Sequence, residues 1–227
     1  MSNNATPEAA SKPFGSVFGD VMAAAEFEDG SWSEPRMVST QELVLHPATH
    51  ALHYGSSCFE GLKAHRQPDG TVATFRAHSH AERMFASAER LMLPAPPVQL
   101  FERMVADTVA ANADMTPEPP GSLYLRPTLL GTEQNIGAAA RASATALFYV
   151  LASPVGQYFS GGALRVSIES KLPRTTPQFG MVKTGANYAM ALGVLQQAKV
   201  NHNADQVLFA PDGYVEETGA ANFLVLA

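Results

Sequence analysis

The hydrophobic and polar positions along the chain predict a mixture of helices and strands. Apolar side chains recur at helical spacing over His78–Leu93 and again over Leu100–Ala113. Pro94 follows the first segment and is expected to end its helix. A third helix is expected from about Asn187 to Val200.

Shorter apolar segments, rich in β-branched and aromatic residues, predict the strands. Leu62–Arg66 and Thr71–Phe75 flank the turn Gln67-Pro-Asp-Gly70 and are expected to pair. Residues 14–50 are expected to form short extended pieces broken by glycine and proline. The other predicted strands are Ser122–Leu130, Thr145–Ser153, Leu164–Ser170, Gln206–Phe209 and Asn222–Leu226. Because strands and helices do not alternate strictly, the predicted fold class is α+β.

Glycine and proline mark the boundary between two predicted domains. Ser153-Pro-Val-Gly156 and Ser160-Gly-Gly162 interrupt the apolar pattern. The final segment, Phe223-Leu-Val-Leu-Ala227, predicts a buried strand and a second domain that lacks its C-terminal part. The predicted divisions are a tail at residues 1–13, a small N-terminal domain at 14–155, a linker at 156–162, and the first part of a large domain at 163–227.

Composition and charge narrow the function by exclusion. The 227 residues are 46% hydrophobic and 16% charged, and the net charge is −6 without a basic stripe. This pattern argues against a nucleic-acid partner, and no apolar segment is long enough to span a membrane. The one cysteine, Cys58, excludes an internal disulfide and, with a polar N-terminus, favours a cytoplasmic protein. No zinc-binding spacing is found, so no metal is expected.

Three parts of the chain combine residue types that are unusual together. Leu52–His65 contains Phe-Glu-Gly-Leu-Lys-Ala, and Ser122–Glu133 contains Leu-Tyr-Leu-Arg-Pro. The third part joins Lys183-Thr-Gly-Ala-Asn-Tyr188 to the more distant Glu216-Glu-Thr-Gly-Ala-Ala-Asn-Phe223. Taken alone, Lys183 is typical of a surface lysine in a glycine-rich loop. Composition therefore names no function for these segments.

In their order and spacing, these segments resemble the class IV (fold-type IV) pyridoxal-phosphate-dependent aminotransferases, most closely the branched-chain amino acid aminotransferases. The resemblance runs from about Phe14 to the last residue. It implies a two-domain fold-type IV architecture, pyridoxal 5′-phosphate as cofactor, and a homodimer. It also implies transfer of the amino group of L-leucine, L-isoleucine or L-valine to 2-oxoglutarate, so the partners would be amino acids and 2-oxo acids.

The resemblance implies four cofactor-binding residues. Lys183 matches the catalytic Schiff-base lysine, whose released amine would move a proton between substrate and cofactor. Glu217 matches the carboxylate that faces the pyridine nitrogen, with Glu216 as the adjacent competitor. Tyr188 matches a tyrosine that hydrogen-bonds the phenolic oxygen of the cofactor, although a core tyrosine is the simpler interpretation. Arg83 matches a phosphate-binding arginine, although read without the resemblance it is a solvated helix residue.

The resemblance also implies a substrate pocket formed by Tyr54, Phe59, Tyr124 and Arg126. Aromatic walls suit an aliphatic side chain, and Arg126 would bind the acidic side chain of glutamate. A structural salt bridge is the alternative role for Arg126. Two other functions stay open: another class IV enzyme, acting on D-amino acids or on aminodeoxychorismate, and a catalytically inert truncated fragment.

Overall fold

The computed structural model describes residues 13–139, 141–156 and 162–226. The described residues up to 156 belong to one compact unit, and those from 162 onward belong to a second. Almost all of the predicted tail and most of the predicted linker lie outside the described residues. Both units contain helices and strands, which confirms the predicted α+β class.

An antiparallel sheet of eight strands forms the first unit. Its strands are β1 (Val21–Glu28), β2 (Ser31–Trp32), β3 (Arg36–Ser39), β4 (Ser57–Phe59), β5 (Leu62–Arg66), β6 (Val72–Thr74), β7 (Ser122–Gly131) and β8 (Ala146–Val155). The order is β2-β1-β8-β7-β5-β6, with β3 also paired to β1 and β4 to β7. The unit's helices are α1 (His50–Tyr54), α2 (Ala77–Arg90) and α3 (Val98–Ala111).

Alternation along β7 separates a core face of the sheet from a polar face. Leu123, Leu125 and Leu129 are fully buried in the main hydrophobic core. Tyr124 and Arg126 are half-buried, because successive side chains of a strand point to opposite faces. Helices α2 and α3 supply the other half of the core through Ala81, Met84, Ala88, Phe101, Met104, Val105 and Val109.

A break in strand pairing lies at Glu60–Gly61. Strand β4 pairs with Thr128–Leu130, and β5 pairs with Leu123–Leu125 on the same edge of β7. Pro127 lies opposite the break; it has no N–H to donate, while its carbonyl accepts the N–H of Glu60 at 2.8 Å. The break lets Glu60 leave the strand pattern, and its side chain is fully buried.

The second unit is a small three-stranded sheet covered by one long helix. Strands β9 (Val166–Glu169) and β10 (Gln206–Phe209) are parallel, and α4 (Gly185–His202) lies between them in the chain. Strand β11 (Glu217–Thr218) pairs antiparallel with β10. The unit's core is formed by Ala191, Ala198, Ala204, Val207 and Phe209.

Two predictions about secondary structure need correction. Asn222–Leu226 is not a strand: Leu224, Val225 and Leu226 are 90%, 82% and 97% exposed, and among the described residues no strand pairs with them. The apolar composition was therefore wrongly interpreted as burial. Helix α2 ends at Arg90 rather than Leu93, because Met92 adopts a left-handed φ of 54° that a helix cannot continue. Within the described residues, no helix combines the length and apolarity that a membrane span needs.

Candidate active site

Lys183 and Tyr188 lie together in the second unit. Lys183 is in the loop that leads into α4, and Tyr188 is in the first turns of that helix. The Nζ of Lys183 donates a hydrogen bond to the Oη of Tyr188 at 2.8 Å. Both side chains are half-buried. The amine is therefore held by a hydroxyl instead of extending freely into solvent, as a surface lysine would.

Asn187 fixes the loop that carries Lys183. Its side-chain amide donates to the carbonyls of Phe179 at 2.8 Å and of Val182 at 2.7 Å. Asn187 is 5% exposed, and Thr184 is fully buried. Because Val182 immediately precedes Lys183, these bonds tie the lysine's backbone to the start of α4. The sequence analysis included Asn187 in the lysine segment but gave it no role.

Arg174 joins the start of α4 to the turn after β11, and sequence analysis did not identify it. Arg174 is buried, and its guanidinium donates to the carbonyl of Gly219 at 2.9 Å, to that of Thr218 at 3.4 Å, and to that of Asn187. Its guanidinium carbon lies 5.1 Å from the centre of the Tyr188 ring. No local pattern in the sequence distinguishes this arginine from a solvated one, because its burial depends on distant segments.

Glu216 and Glu217 have different surroundings. An oxygen of Glu216 accepts the backbone N–H of Arg174 at 2.8 Å, which makes this glutamate a structural residue. The carboxylate of Glu217 lies 3.6 Å from the Nε of Arg174, and its side chain is 52% exposed. Of the two, Glu217 has the carboxylate more open to a ligand.

Arg83 is held by a buried carboxylate in the first unit. Its Nε and one terminal nitrogen donate to the two oxygens of Glu60 at 2.5 and 2.7 Å, and His80 lies 2.7 Å from the same carboxylate. Burial raises the pKa of Glu60, but the hydrogen bonds and charges of Arg83 and His80 outweigh it and hold the pKa below its usual range. The guanidinium is half-exposed and firmly oriented. Sequence analysis missed Glu60, since its motif gave no sign of this partner.

Phe59, Tyr124 and Arg126 lie together on the polar face of the first unit's sheet. The guanidinium of Arg126 lies 4.5 Å from the centre of the Phe59 ring, and two of its nitrogens donate to the Tyr124 hydroxyl at 2.9 and 3.2 Å. A Cβ added at Gly61 would lie 2.2 Å from that hydroxyl, so glycine leaves the space that Tyr124 occupies. These side chains line a cavity of about 360 Å³. Its other walls include Phe14, Phe18, Thr128, Tyr149, Leu151 and Ser153.

Tyr54 does not line this cavity. It lies at the end of α1, where its hydroxyl donates to the carbonyl of Ile136 and its ring is 4.9 Å from that of His50. The structure therefore brings together three of the four predicted pocket residues. Of the cofactor residues, Lys183, Tyr188 and Glu217 lie in the second unit and Arg83 lies in the first.

Cysteine and metal chemistry find no support among the described residues. Burial, reinforced by the nearby charge of Glu60, raises the pKa of the Cys58 thiol to about 12, so this cysteine stays protonated. In the part of the chain that the structure describes, no three His, Cys, Asp or Glu side chains are grouped to hold a metal ion.

Comparison with known proteins identifies the family. The family model of class IV amino-transferases matches residues 57–227. A branched-chain-amino-acid aminotransferase of Haemophilus influenzae is 39% identical over 215 residues, which cover 90% of this chain and 62% of that protein. A probable branched-chain-amino-acid aminotransferase of Streptomyces coelicolor is 39% identical over 218 residues, covering 92% of this chain and 59% of that protein. The chain thus spans about three fifths of the length of these curated relatives.

Solved structures agree with this result. A branched-chain amino acid aminotransferase from T.th., solved with pyridoxamine 5′-phosphate, superposes with a TM-score of 0.67 at 26% identity, covering 87% of this chain and 63% of that one. The predicted fold-type IV architecture and the predicted resemblance are therefore confirmed. The chain belongs to the class IV aminotransferase family and is similar to its branched-chain-amino-acid members.

Proposed function

We propose that this chain binds pyridoxal 5′-phosphate through Lys183 and transfers amino groups from L-leucine, L-isoleucine or L-valine to 2-oxoglutarate. One observation carries the proposal: Lys183 contacts Tyr188, Tyr188 lies against Arg174, and Arg174 faces Glu217. An amine, a phenol and a carboxylate are thus linked within one small unit. These are the groups that the family uses to hold the cofactor.

The residues of the second unit fit this cofactor. A half-buried amine is available for its aldehyde, a hydroxyl lies 2.8 Å from that amine, and the Glu217 carboxylate remains open. When bound, pyridoxal phosphate supplies a carbonyl that takes up the amino group and a ring that withdraws electrons from the substrate's α-carbon. In the first unit, Arg83 has an oriented guanidinium suited to a phosphate group.

Each residue has a role that follows from its own chemistry. The amine of Lys183 would bind the cofactor and, once released, carry a proton to or from the substrate's α-carbon. The hydroxyl of Tyr188 would orient that amine and hydrogen-bond the cofactor's phenolic oxygen. The carboxylate of Glu217 would hold a proton on the pyridine nitrogen.

The cavity of the first unit supports a substrate that is aliphatic in one half-reaction and acidic in the other. Phe59 and Tyr124 offer apolar ring surface, and Arg126 offers a positive charge held in place by its bonds to the Tyr124 hydroxyl. Ring surface suits a branched side chain, and the guanidinium suits the second carboxylate of glutamate. Tyr54 is proposed as a further pocket residue on the family resemblance alone.

Assembly and location are also part of the proposal. A homodimer rests on the family resemblance, and a cytoplasmic location rests on the single, buried cysteine. The domain division at residues 14–155 and 163–227 is likewise proposed.

A substrate panel tests the proposed reaction. The 227-residue chain, supplied with pyridoxal phosphate, is incubated with 2-oxoglutarate and L-leucine, L-isoleucine, L-valine or D-alanine, and glutamate is measured. We expect L-glutamate from the three branched-chain substrates, with loss of the reaction in Lys183→Ala. Lys199→Ala, an exposed lysine on α4, is the matched control and should retain activity. Reaction with D-alanine but not L-leucine would favour the D-amino acid alternative, and no reaction with any substrate would favour the inert fragment.

A further inference from the structure

We propose that Arg174 is a positioning residue that holds Tyr188 and Glu217 at a fixed separation, so that the two sides of the cofactor site keep their geometry. The inference rests on the proposed function, because it assigns these two residues to one ligand. Nothing in the sequence pattern distinguishes Arg174.

The hydrogen bonds of Arg174 join segments that are far apart in the chain. Its guanidinium donates to the carbonyl of Asn187, 13 residues away, and to those of Thr218 and Gly219, 44 and 45 residues away. Asn187 directly precedes Tyr188, and Thr218 directly follows Glu217. The planar guanidinium therefore connects the backbone beside both proposed cofactor residues, and its rigid fork fixes their relative position.

The side-chain contacts of Arg174 reach the same two residues. The guanidinium carbon lies 5.1 Å from the ring centre of Tyr188, within the range of a cation–π interaction. The Nε lies 3.6 Å from the carboxylate of Glu217. Thus Arg174 bonds to the backbone beside each residue and also faces its side chain.

The burial of Arg174 shows that these contacts matter to the fold of the second unit. The residue is 3% exposed, and a buried charge is costly unless it is paired and hydrogen-bonded. Three carbonyls and one carboxylate satisfy it. Since Glu217 is half-exposed, its carboxylate can face a ligand while remaining near this fixed positive charge.

Three variants separate the positioning role from simple stability. Arg174→Met removes the charge and the donors, Arg174→Lys keeps the charge but loses the fork, and Arg165→Met alters an exposed arginine of the same unit. Amide hydrogen exchange is measured on the full chain without cofactor. We expect Arg174→Met to raise exchange together at residues 185–190 and 217–220 under conditions where the rest of the second unit stays protected. Unchanged exchange in both segments would overturn the inference.

The bound cofactor provides the second measurement. With pyridoxal phosphate added, we expect Arg174→Met to weaken cofactor affinity by about tenfold, a usual size for loss of a residue that orients a binding group. Arg174→Lys should recover part of that loss, and Arg165→Met should match the wild type. The effects of Arg174→Met and Glu217→Gln on affinity and on the visible band should be non-additive, since one residue acts through the other. Additive effects would contradict the positioning role.

The two proposals fail in different ways. If the wild-type chain gives no visible band with pyridoxal phosphate, the proposed function fails, while raised exchange in Arg174→Met still supports the link between the two segments. If the wild-type band forms and Arg174→Met leaves band, affinity and exchange unchanged, the proposed function stands and the inference about Arg174 is overturned.

Discussion

Two glutamates show how burial decides what a carboxylate does in this protein. Glu60 is fully buried, and both its oxygens are bound by Arg83 and His80. Glu217 is half-exposed and faces its arginine at 3.6 Å without a close hydrogen bond. The first carboxylate therefore orients another residue, while the second is available for a ligand.

Replacing Glu60 tests its contribution directly. Glu60→Gln keeps the size of the side chain and removes the charge that pairs with Arg83. The pKa of Glu60 lies below its ordinary value of 4.5, so the carboxylate stabilises the fold above about that pH, and the stabilisation is lost as the pH falls through the lowered pKa. We expect the variant to lose about 2 kcal/mol of unfolding free energy at pH 7, and less than that at pH 4.

Urea unfolding at both pH values measures this difference. Glu42→Gln, at an exposed glutamate of the same unit, is the control and should leave the unfolding free energy nearly unchanged. An equal loss for Glu60→Gln at pH 7 and pH 4 would show that the charge of Glu60 does not stabilise the fold.

The residues that sequence reasoning found and missed differ in where their environment comes from. Lys183 and Tyr188 could be predicted as a pair, because a fixed offset at a helix start brings them together. Arg174 and Glu60 could not, because their burial depends on segments far away in the chain. Tyr54 matched the family pattern, yet its hydroxyl binds the carbonyl of Ile136 outside the cavity of Phe59 and Arg126.

At the level of elements, alternation along β7 explains both the core and the candidate pocket. One face of the strand buries leucines against α2 and α3, and the other face presents Tyr124 and Arg126 to the cavity. This strand and its neighbour β8 could be predicted from apolar composition. The break at Glu60–Gly61 could not, because it depends on Pro127 lying opposite in the folded sheet. The misassigned strand at Asn222–Leu226 shows the converse, since an apolar segment there is exposed.

Thr108 tests how α3 is attached to the sheet. Its hydroxyl accepts the N–H of Ala23 in β1 at 3.2 Å and donates to the carbonyl of Val150 in β8 at 3.4 Å, and the residue is fully buried. Thr108→Val keeps the shape and removes both bonds, so we expect a loss of about 1–3 kcal/mol in unfolding free energy. Thr108→Ser keeps the hydroxyl and serves as the comparison. If Thr108→Val unfolded at the same urea concentration as the wild type, the hydroxyl would have no stabilising role.

At the scale of the whole molecule, the proposed cofactor residues are divided between the two compact units. Lys183, Tyr188 and Glu217 belong to the second unit, and Arg83 belongs to the first. The chain spans about three fifths of its curated relatives, so its activity is a question for experiment. The family and fold class could be predicted from the order of the sequence segments, which is a property of the whole chain and not of any single motif.

Covalent labelling of Lys183 tests the central claim most directly. The chain contains five lysines, at positions 12, 63, 171, 183 and 199, so a labelled site can be identified by peptide mass spectrometry. The 227-residue chain is mixed with pyridoxal phosphate, its visible band is recorded, and borohydride is added. We predict a band that disappears on reduction, with the cofactor attached to Lys183, and neither the band nor the label in Lys183→Ala. A label on another lysine, or an unchanged band in Lys183→Ala, would contradict the assignment of Lys183 as the cofactor-binding residue.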